Sequence, residues 1–228
     1  MVRILILIPA YGEGERVGKT VRSIEKVLKS IKGFRFEILV VDDGSSDNTY
    51  EVAKKEGVTV IKHKKNMGKG MAHRTGFEYA VNNRFDAVLC LDADGQHNPD
   101  EIKTFLKFYN RYDVIIGTRD INTKIMPRLR YGTNRTTSIF VSLLAKTRVK
   151  DSQSGYRMLK VDVLRRLRLK TTRFQTESEE IIQAGMLGFK IGEIPIRTIY
   201  IPSGRKSYIN PFKDTMRFIG LNLMYLWR

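Results

Sequence analysis

The sequence predicts an α/β protein: a doubly wound, mostly parallel sheet with helices on both faces. Two observations predict it. Short apolar runs alternate with helix-period segments through residues 1–117, the pattern of strands joined by helical crossovers. The runs are almost wholly apolar, as strands buried on both faces must be. A third observation locates the function. Acidic and glycine-bearing clusters follow these runs directly, and in such sheets ligands bind beyond the carboxyl ends of the strands.

The first strand is expected at Arg3–Ile8, just before Pro9. A helix follows, with Val17, Val21, Ile24, Leu28 and Ile31 spaced 4, 3, 4 and 3, which puts one apolar stripe on one face. Glu37–Val41, Thr59–Lys62, Ala87–Leu91 and Asp113–Gly117 are the next strand candidates. Asp47–Glu56, Gly70–Asn82 and Pro99–Asn110 read as the helices between them. Beyond residue 120 the pattern loosens. Lys124–Arg135 reads as an irregular basic stretch, Thr136–Leu144 and Ser178–Leu187 as helices, Lys190–Ile194 and Arg197–Ile201 as strand-like runs. Pro211–Trp227 repeats the 4, 3, 4, 3 spacing at Phe212, Met216, Ile219, Leu223 and Leu226. It also carries Phe218, Leu221, Tyr225 and Trp227 on other faces, too many for a simple surface helix.

At 228 residues the chain can bury a sizeable core as one domain. Its 42% hydrophobic and 29% charged residues are ordinary for a globular protein. Cys90 stands alone, so no internal disulfide is expected and a reducing compartment fits. No run reaches the roughly 18 apolar residues of a membrane span, and the N-terminal run is too short for a signal-peptide core. A soluble or peripheral cytoplasmic protein is expected.

The net charge of +17 is unevenly placed. Residues 1–120 carry 20 Lys and Arg against 17 Asp and Glu, whereas residues 121–228 carry 21 against 7. A basic half suggests an anionic partner: nucleic acid, a phosphorylated ligand or an anionic membrane face. A lysine-rich, heat-adapted surface would explain the total but not the asymmetry. A nucleic-acid-binding module would leave the carboxylates at the strand ends unexplained, so no nucleic-acid partner is expected.

The first loop, in "IPAYGEGERVGKT", ends in Gly-Lys-Thr like an ATP-binding phosphate loop. That motif needs four residues between its first Gly and the Gly-Lys pair, which would put that Gly at position 13, where Glu13 stands. A dinucleotide fingerprint from Gly12 and Gly14 fails at Val17. Glu13 and Glu15 would repel a phosphate there. Such an acidic loop suits sugar hydroxyls better. In "VVDDGSSDNT", Asp47 or Ser46 can cap the next helix, while Asp42 and Asp43 can accept from ribose hydroxyls or base N–H groups. In "LDADGQH", Asp92 and Asp94 leave a buried strand two residues apart. Two carboxylates so placed can share one hard divalent cation and leave positions open for phosphate oxygens.

The ordered set "IPAYGEGE", "VVDDGSSDNT", "NMGKG", "DADGQH", "GTRD" and "DSQSGYR" resembles family 2 glycosyltransferases of the GT-A fold, from residue 3 to about residue 215. Within them the chain is most similar to the polyprenyl-phosphate hexose synthases of the dolichol-phosphate mannose synthase type. The resemblance implies that residues 1–120 form a nucleotide-sugar-binding half and residues 121–228 an acceptor-binding half ending in an amphipathic helix. It implies that Pro9, Tyr11, Glu13, Asp42 and Asp43 hold the nucleoside, with Lys69 and Asp92 also on the donor. Asp92, Asp94 and Gln96 would hold Mg²⁺ or Mn²⁺. Arg119 falls on the family's Gly-x-Arg, and Arg130 falls near a second arginine that meets acceptor phosphate. "RKSYIN" is similar to a loop closing over the diphosphate; Tyr208 stands where a basic residue is usual, so Arg205 or Lys206 would take that charge. Gly12 stands where Asn is usual.

The implied reaction is inverting transfer of a hexose from GDP-mannose or UDP-glucose to a polyprenyl (dolichyl) phosphate, at the inner face of a membrane. A hydroxyl acceptor would need a base, for which Glu177 in "QTESEE" is the candidate. A phosphate acceptor is already an anion and needs arginines, and Arg128, Arg130, Arg135 and Arg157 favour it. The alternative is a family 2 enzyme acting on a saccharide or other soluble acceptor.

Overall fold

The computed structural model describes residues 1–119, 128–197, 199 and 211–226, with side chains from 132 and from 216 in the last two long segments. Seven strands form one sheet: β1 (Val2–Ala10), β2 (Phe34–Asp42), β3 (Thr59–Lys62), β4 (Ala87–Cys90), β5 (Val114–Arg119), β6 (Arg157–Lys160) and β7 (Ile191–Ile196). Their order is β3-β2-β1-β4-β6-β5-β7. Every neighbouring pair is parallel except those of β6, which runs antiparallel to both β4 and β5. Because β6 comes from the second half and lies between two strands of the first, both halves share one sheet.

Side chains alternate across the sheet, and both faces are covered. Leu5, Leu7, Leu39, Val41 and Val88 pack under α3 (Lys69–Asn82), α5 (Arg128–Leu144), α6 (Val161–Arg166), α7 (Thr176–Met186) and α8 (Pro211–Leu226). Ile4, Ile6, Ile8, Ile38 and Val40 pack under α1 (Val17–Leu28), α2 (Thr49–Lys55) and α4 (Ile102–Lys107). Ile4–Ile8 have no exposed surface, which explains why that run lacks polar alternation.

From residue 99 onward the structure departs from the sequence reading. The expected Pro99–Asn110 helix is a 3-10 turn (Pro99–Glu101) followed by α4. Asn98 accepts the N–H of Asp100 there. Helix α5 begins at Arg128, inside the stretch read as irregular. Strand β6 and helix α6 were not expected. Arg157 is a correction: expected beside the acceptor, it lies in β6 as the largest fully buried side chain among the described residues. Its guanidinium donates to the carbonyls of Ser152, Ser154 and Glu177, and pairs with Glu180 at 3.2 Å. Of the Arg197–Ile201 run, only residues 197 and 199 are described.

The wrap-around apolar pattern of α8 resolves into two faces. Leu221 and Tyr225 are buried, and the Tyr225 hydroxyl donates to Glu179 at 2.7 Å and accepts from Gln183 at 2.6 Å. Ile219, Leu223 and Leu226 are exposed. Among the described residues no helix is long and apolar enough to cross a membrane.

Glu180 is wholly buried between Arg157 and His73, whose Nδ1 lies 2.9 Å away. Burial alone would raise its pKa; the charges of His73 and Arg157 outweigh it and hold the carboxyl below its ordinary value of 4.5. A depressed carboxylate stabilises the fold fully above its unfolded-state pKa, and that contribution is lost as pH falls through the folded value. Denaturant midpoints should therefore drop as pH is lowered past 4.5. Glu180→Gln should shrink that acid-dependent drop while costing about 3–5 kcal/mol at neutral pH, because Arg157 loses its counter-charge.

Candidate active site

The predicted clusters meet at the carboxyl ends of β1, β2 and β4. The first loop is laced to the second through backbone amides. The N–H of Gly12 donates to Ser45 Oγ at 3.0 Å, that of Glu13 to Thr49 Oγ1 at 2.9 Å, and that of Gly14 to Asp47 Oδ2 at 3.2 Å. A phosphate cradle would need such amides for its ligand; here they hold the protein together. The Glu13 carbonyl accepts from Arg16 and Val17 and so starts α1, while its carboxylate lies 3.4 Å from Arg16. Pro9 sits in β1 opposite Val41, and Tyr11 is partly exposed at the strand end.

Asp42 and Asp43 are adjacent but differently employed. Asp43 Oδ1 accepts the N–H of Met67 at 2.9 Å and lies 2.7 Å from His63 Nδ1, and Oδ2 accepts the N–H of Gly68 at 2.7 Å. Its carboxylate therefore shapes the loop that opens α3. Asp42 Oδ1 accepts the N–H of Ser45 at 3.0 Å. Its Oδ2 is buried without a hydrogen-bond donor among the described residues, with Lys62 Nζ 3.7 Å away. Buried acceptors are normally satisfied, so this oxygen is the one ready for a donor N–H or hydroxyl.

Asp92 and Asp94 follow β4 in a turn made possible by Gly95, whose φ of +77° an L side chain rarely adopts. The N–H of Gln96 donates to Asp94 Oδ1 at 2.9 Å, and that of Asp92 to His97 Nδ1 at 3.0 Å. His97 is stacked on Tyr156, with ring centroids 4.9 Å apart. Lys69, the first residue of α3, places its ammonium 2.6 Å from Asp92 Oδ1 and 2.7 Å from Glu177 Oε1. Burial alone would raise the Asp92 pKa and lower that of Lys69. The ion pair outweighs it in both, holding the Asp92 carboxyl far below and the Lys69 ammonium far above their ordinary values. Asp94 is pushed up, first by burial and then by the charge of Asp92.

The donor set of Asp92 and Asp94 is hard oxygen, which fits Mg²⁺ or Mn²⁺. Among the described residues no group of three or more His, Cys, Asp and Glu is placed to hold a cation alone. A cation on two carboxylates leaves its other positions for ligand oxygens, as a diphosphate would supply.

Arg119 ends β5 and is engaged: its Nε and second terminal nitrogen bind Asp151 at 2.7 and 2.9 Å, a bidentate pair with a wholly buried carboxylate. The side chain of Arg130, and all of Arg205 and Lys206, lie outside the described residues. Sequence reasoning missed Asp151 and Gly155 as site builders, although both stand in the quoted "DSQSGYR". A Cβ at Gly155 would lie 2.8 and 2.9 Å from the two Asp92 oxygens and 2.9 Å from Lys69 Nζ. Gly155→Ala should therefore displace the Asp92–Lys69 pair and cut turnover by about tenfold or more, since small misplacements of catalytic groups are expensive. The melting temperature should shift by less than about 4 °C, because the displaced atoms are the ends of flexible side chains.

Residues 5–168 match the family model of Glycosyl transferase family 2. A relative from Methanococcus voltae, a UDP-N-acetylglucosamine–dolichyl-phosphate N-acetylglucosaminyltransferase, is 33% identical over 86% of both chains. An undecaprenyl-phosphate mannosyltransferase from Micrococcus luteus is 26% identical over 86% of this chain and 83% of its own. Among solved structures, glucosyl-3-phosphoglycerate synthase from Mycobacterium tuberculosis, in complex with Mn²⁺, UDP and phosphoglyceric acid, superposes with a TM-score of 0.77. It is 16% identical, over 98% of this chain and 78% of that one, and so supports the GT-A fold. Sheet order, strand-end carboxylates and the family match agree: the chain belongs to glycosyl transferase family 2.

Proposed function

We propose that the chain is an inverting hexosyltransferase that moves a sugar from a nucleotide donor to a polyprenyl phosphate at a membrane surface. The observation that carries the acceptor assignment is the state of Glu177. The only base candidate from the sequence is buried and held 2.7 Å from the Lys69 ammonium. A general base must come within hydrogen-bond reach of the proton it takes, and this buried carboxylate is already turned onto the ammonium. A phosphate monoester is already an anion near neutral pH and attacks without losing a proton. The two relatives named above act, by their names, on dolichyl and undecaprenyl phosphate, which supports the same reading.

In this reading the open Asp42 Oδ2 receives a donor N–H or hydroxyl, with Tyr11 and Glu13 at the same strand end. Asp92 and Asp94 hold a divalent cation, which when bound offsets the diphosphate charge that grows as the glycosidic bond breaks. Arg119 is fixed by Asp151 and lends positive charge from a set position rather than swinging to a ligand. The donor is GDP-mannose or UDP-glucose, and the name of the Methanococcus relative adds UDP-N-acetylglucosamine to the set to be tried.

The membrane contact rests on two packed helices. Helix α8 turns Ile219, Leu223 and Leu226 outward, and α5, which packs beside it, exposes Ile139, Phe140 and Leu143. Such an apolar surface on a strongly basic half of the chain suits the interface of an anionic bilayer, where each nearby Lys or Arg adds about 1 kcal/mol. Leu143→Asp with Leu223→Asp should abolish flotation with anionic vesicles while leaving the melting temperature within about 4 °C, since both side chains are exposed. Undiminished flotation would remove the membrane from the proposal.

Activity is tested by incubating the three nucleotide sugars with and without a polyprenyl phosphate in Mn²⁺ or Mg²⁺. Turnover should require the lipid phosphate, and Asp94→Asn should abolish it without unfolding the chain. At saturating metal and donor, Glu177→Gln should keep turnover within about tenfold, whereas loss of a true general base costs about 10²–10⁴-fold. A loss in that larger range would make a hydroxyl-bearing acceptor the better reading.

A further inference from the structure

Lys69 is placed against local preference. As the first residue of α3 it sets a positive charge at the positive end of the helix dipole, which is unfavourable unless another group repays it. What repays it is a pair of carboxylates from two other elements, Asp92 after β4 and Glu177 in the first turn of α7, at 2.6 and 2.7 Å. The ammonium is four-fifths buried and Glu177 almost wholly so. Gly155 packs so close that a single added carbon would touch both Lys69 and Asp92. Asp94 stands in the same field. Two carboxylates thus share one ammonium, and Asp94 is close enough to feel the charges of Asp92 and Lys69.

We propose that Lys69 is a positioning residue that competes with the divalent cation for Asp92 and, with the same ammonium, binds Glu177 into the site. The inference rests on the reading of Asp92 and Asp94 as cation ligands. Its physical content is a trade. Asp92 Oδ1 is preorganised by the ammonium but must share its charge with it, so the cation is held loosely until diphosphate oxygens complete its coordination. Loose binding without donor and tight binding with it keeps the site ready for nucleotide exchange. Glu177 moderates the competition by drawing part of the ammonium's charge away from Asp92.

The trade has a signature that a purely structural lysine lacks. Mn²⁺ alone is titrated into the full chain without nucleotide, with free Mn²⁺ followed by electron paramagnetic resonance. Lys69→Met should bind Mn²⁺ at least about threefold more tightly than wild type, because a unit positive charge beside Asp92 is gone. Glu177→Gln should bind it at least about threefold more weakly, because the ammonium then belongs to Asp92 alone. Because Glu177 acts through the ammonium, the double variant should match Lys69→Met, the non-additivity expected of groups sharing one partner. Turnover of Lys69→Met at saturating Mn²⁺ and donor should nonetheless be lower than wild type. Should Lys69→Met fail to fold, Lys69→Gln, neutral yet able to hydrogen-bond both carboxylates, must show the same tightening. If neutral replacement leaves Mn²⁺ affinity unchanged or weakens it, the competition is overturned while the metal site stands. If the wild-type chain binds no Mn²⁺ with or without donor, the metal site and this inference fall together.

Discussion

The architecture of the site depends on one buried guanidinium. Arg157 lies in the antiparallel strand β6 with no exposed surface, and it bonds to the Ser152 and Ser154 carbonyls on one side and to Glu177 and Glu180 of α7 on the other. Arginine suits this work because its planar fork offers five donors in fixed directions. By satisfying the carbonyls of the "DSQSGYR" loop it turns Gly155 against Asp92. By gripping the first turn of α7 it brings Glu177 to Lys69. Removing the charge would strand Glu180 in the core, a loss of about 3–5 kcal/mol.

This arrangement changes how the basic half of the chain is understood. Its excess of Lys and Arg suggested arginines waiting for an anion, yet two arginines expected at the acceptor phosphate are already matched. Arg119 faces Asp151, and Arg157 faces Glu180. The fold uses them to place other groups. Exposed positive charge in the same half remains at Lys146 and Arg148, just past the helix that turns Ile139 and Leu143 outward.

The first half of the fold was legible because its signals are local. The unbroken apolar run of β1 and the 4, 3 spacing in α1 each record burial directly. Strand β6 was not legible. It is four residues long, follows a polar loop and begins with an arginine, a residue that is seldom fully buried unless paired. Its tertiary partners, Glu180 and the carbonyls of Ser152, Ser154 and Glu177, make it a core residue. The site divides the same way. The spacing of Asp92 and Asp94 marked a candidate cation pair, but two neighbouring aspartates, Asp42 and Asp43, do not say which one keeps an oxygen open. Asp43 spends both oxygens on the Met67 and Gly68 amides, whereas Asp42 keeps one open. That distinction is set by the path of a loop more than twenty residues further on.

The position of β6 also governs the order in which the sheet can be completed as the chain leaves the ribosome. Strands β1, β2, β3 and β4 pair in parallel among themselves and can assemble early. The free edge of β4, however, does not accept β5, the next strand made. It waits for β6, whose Lys160 lies opposite Ala87, and β5 is anchored only when β6 and β7 flank it. Until then β4 presents an unpaired apolar edge, the kind of surface that recruits chaperones or neighbouring chains. Nascent chains stalled between β5 and β6 are therefore the aggregation-prone species of this fold.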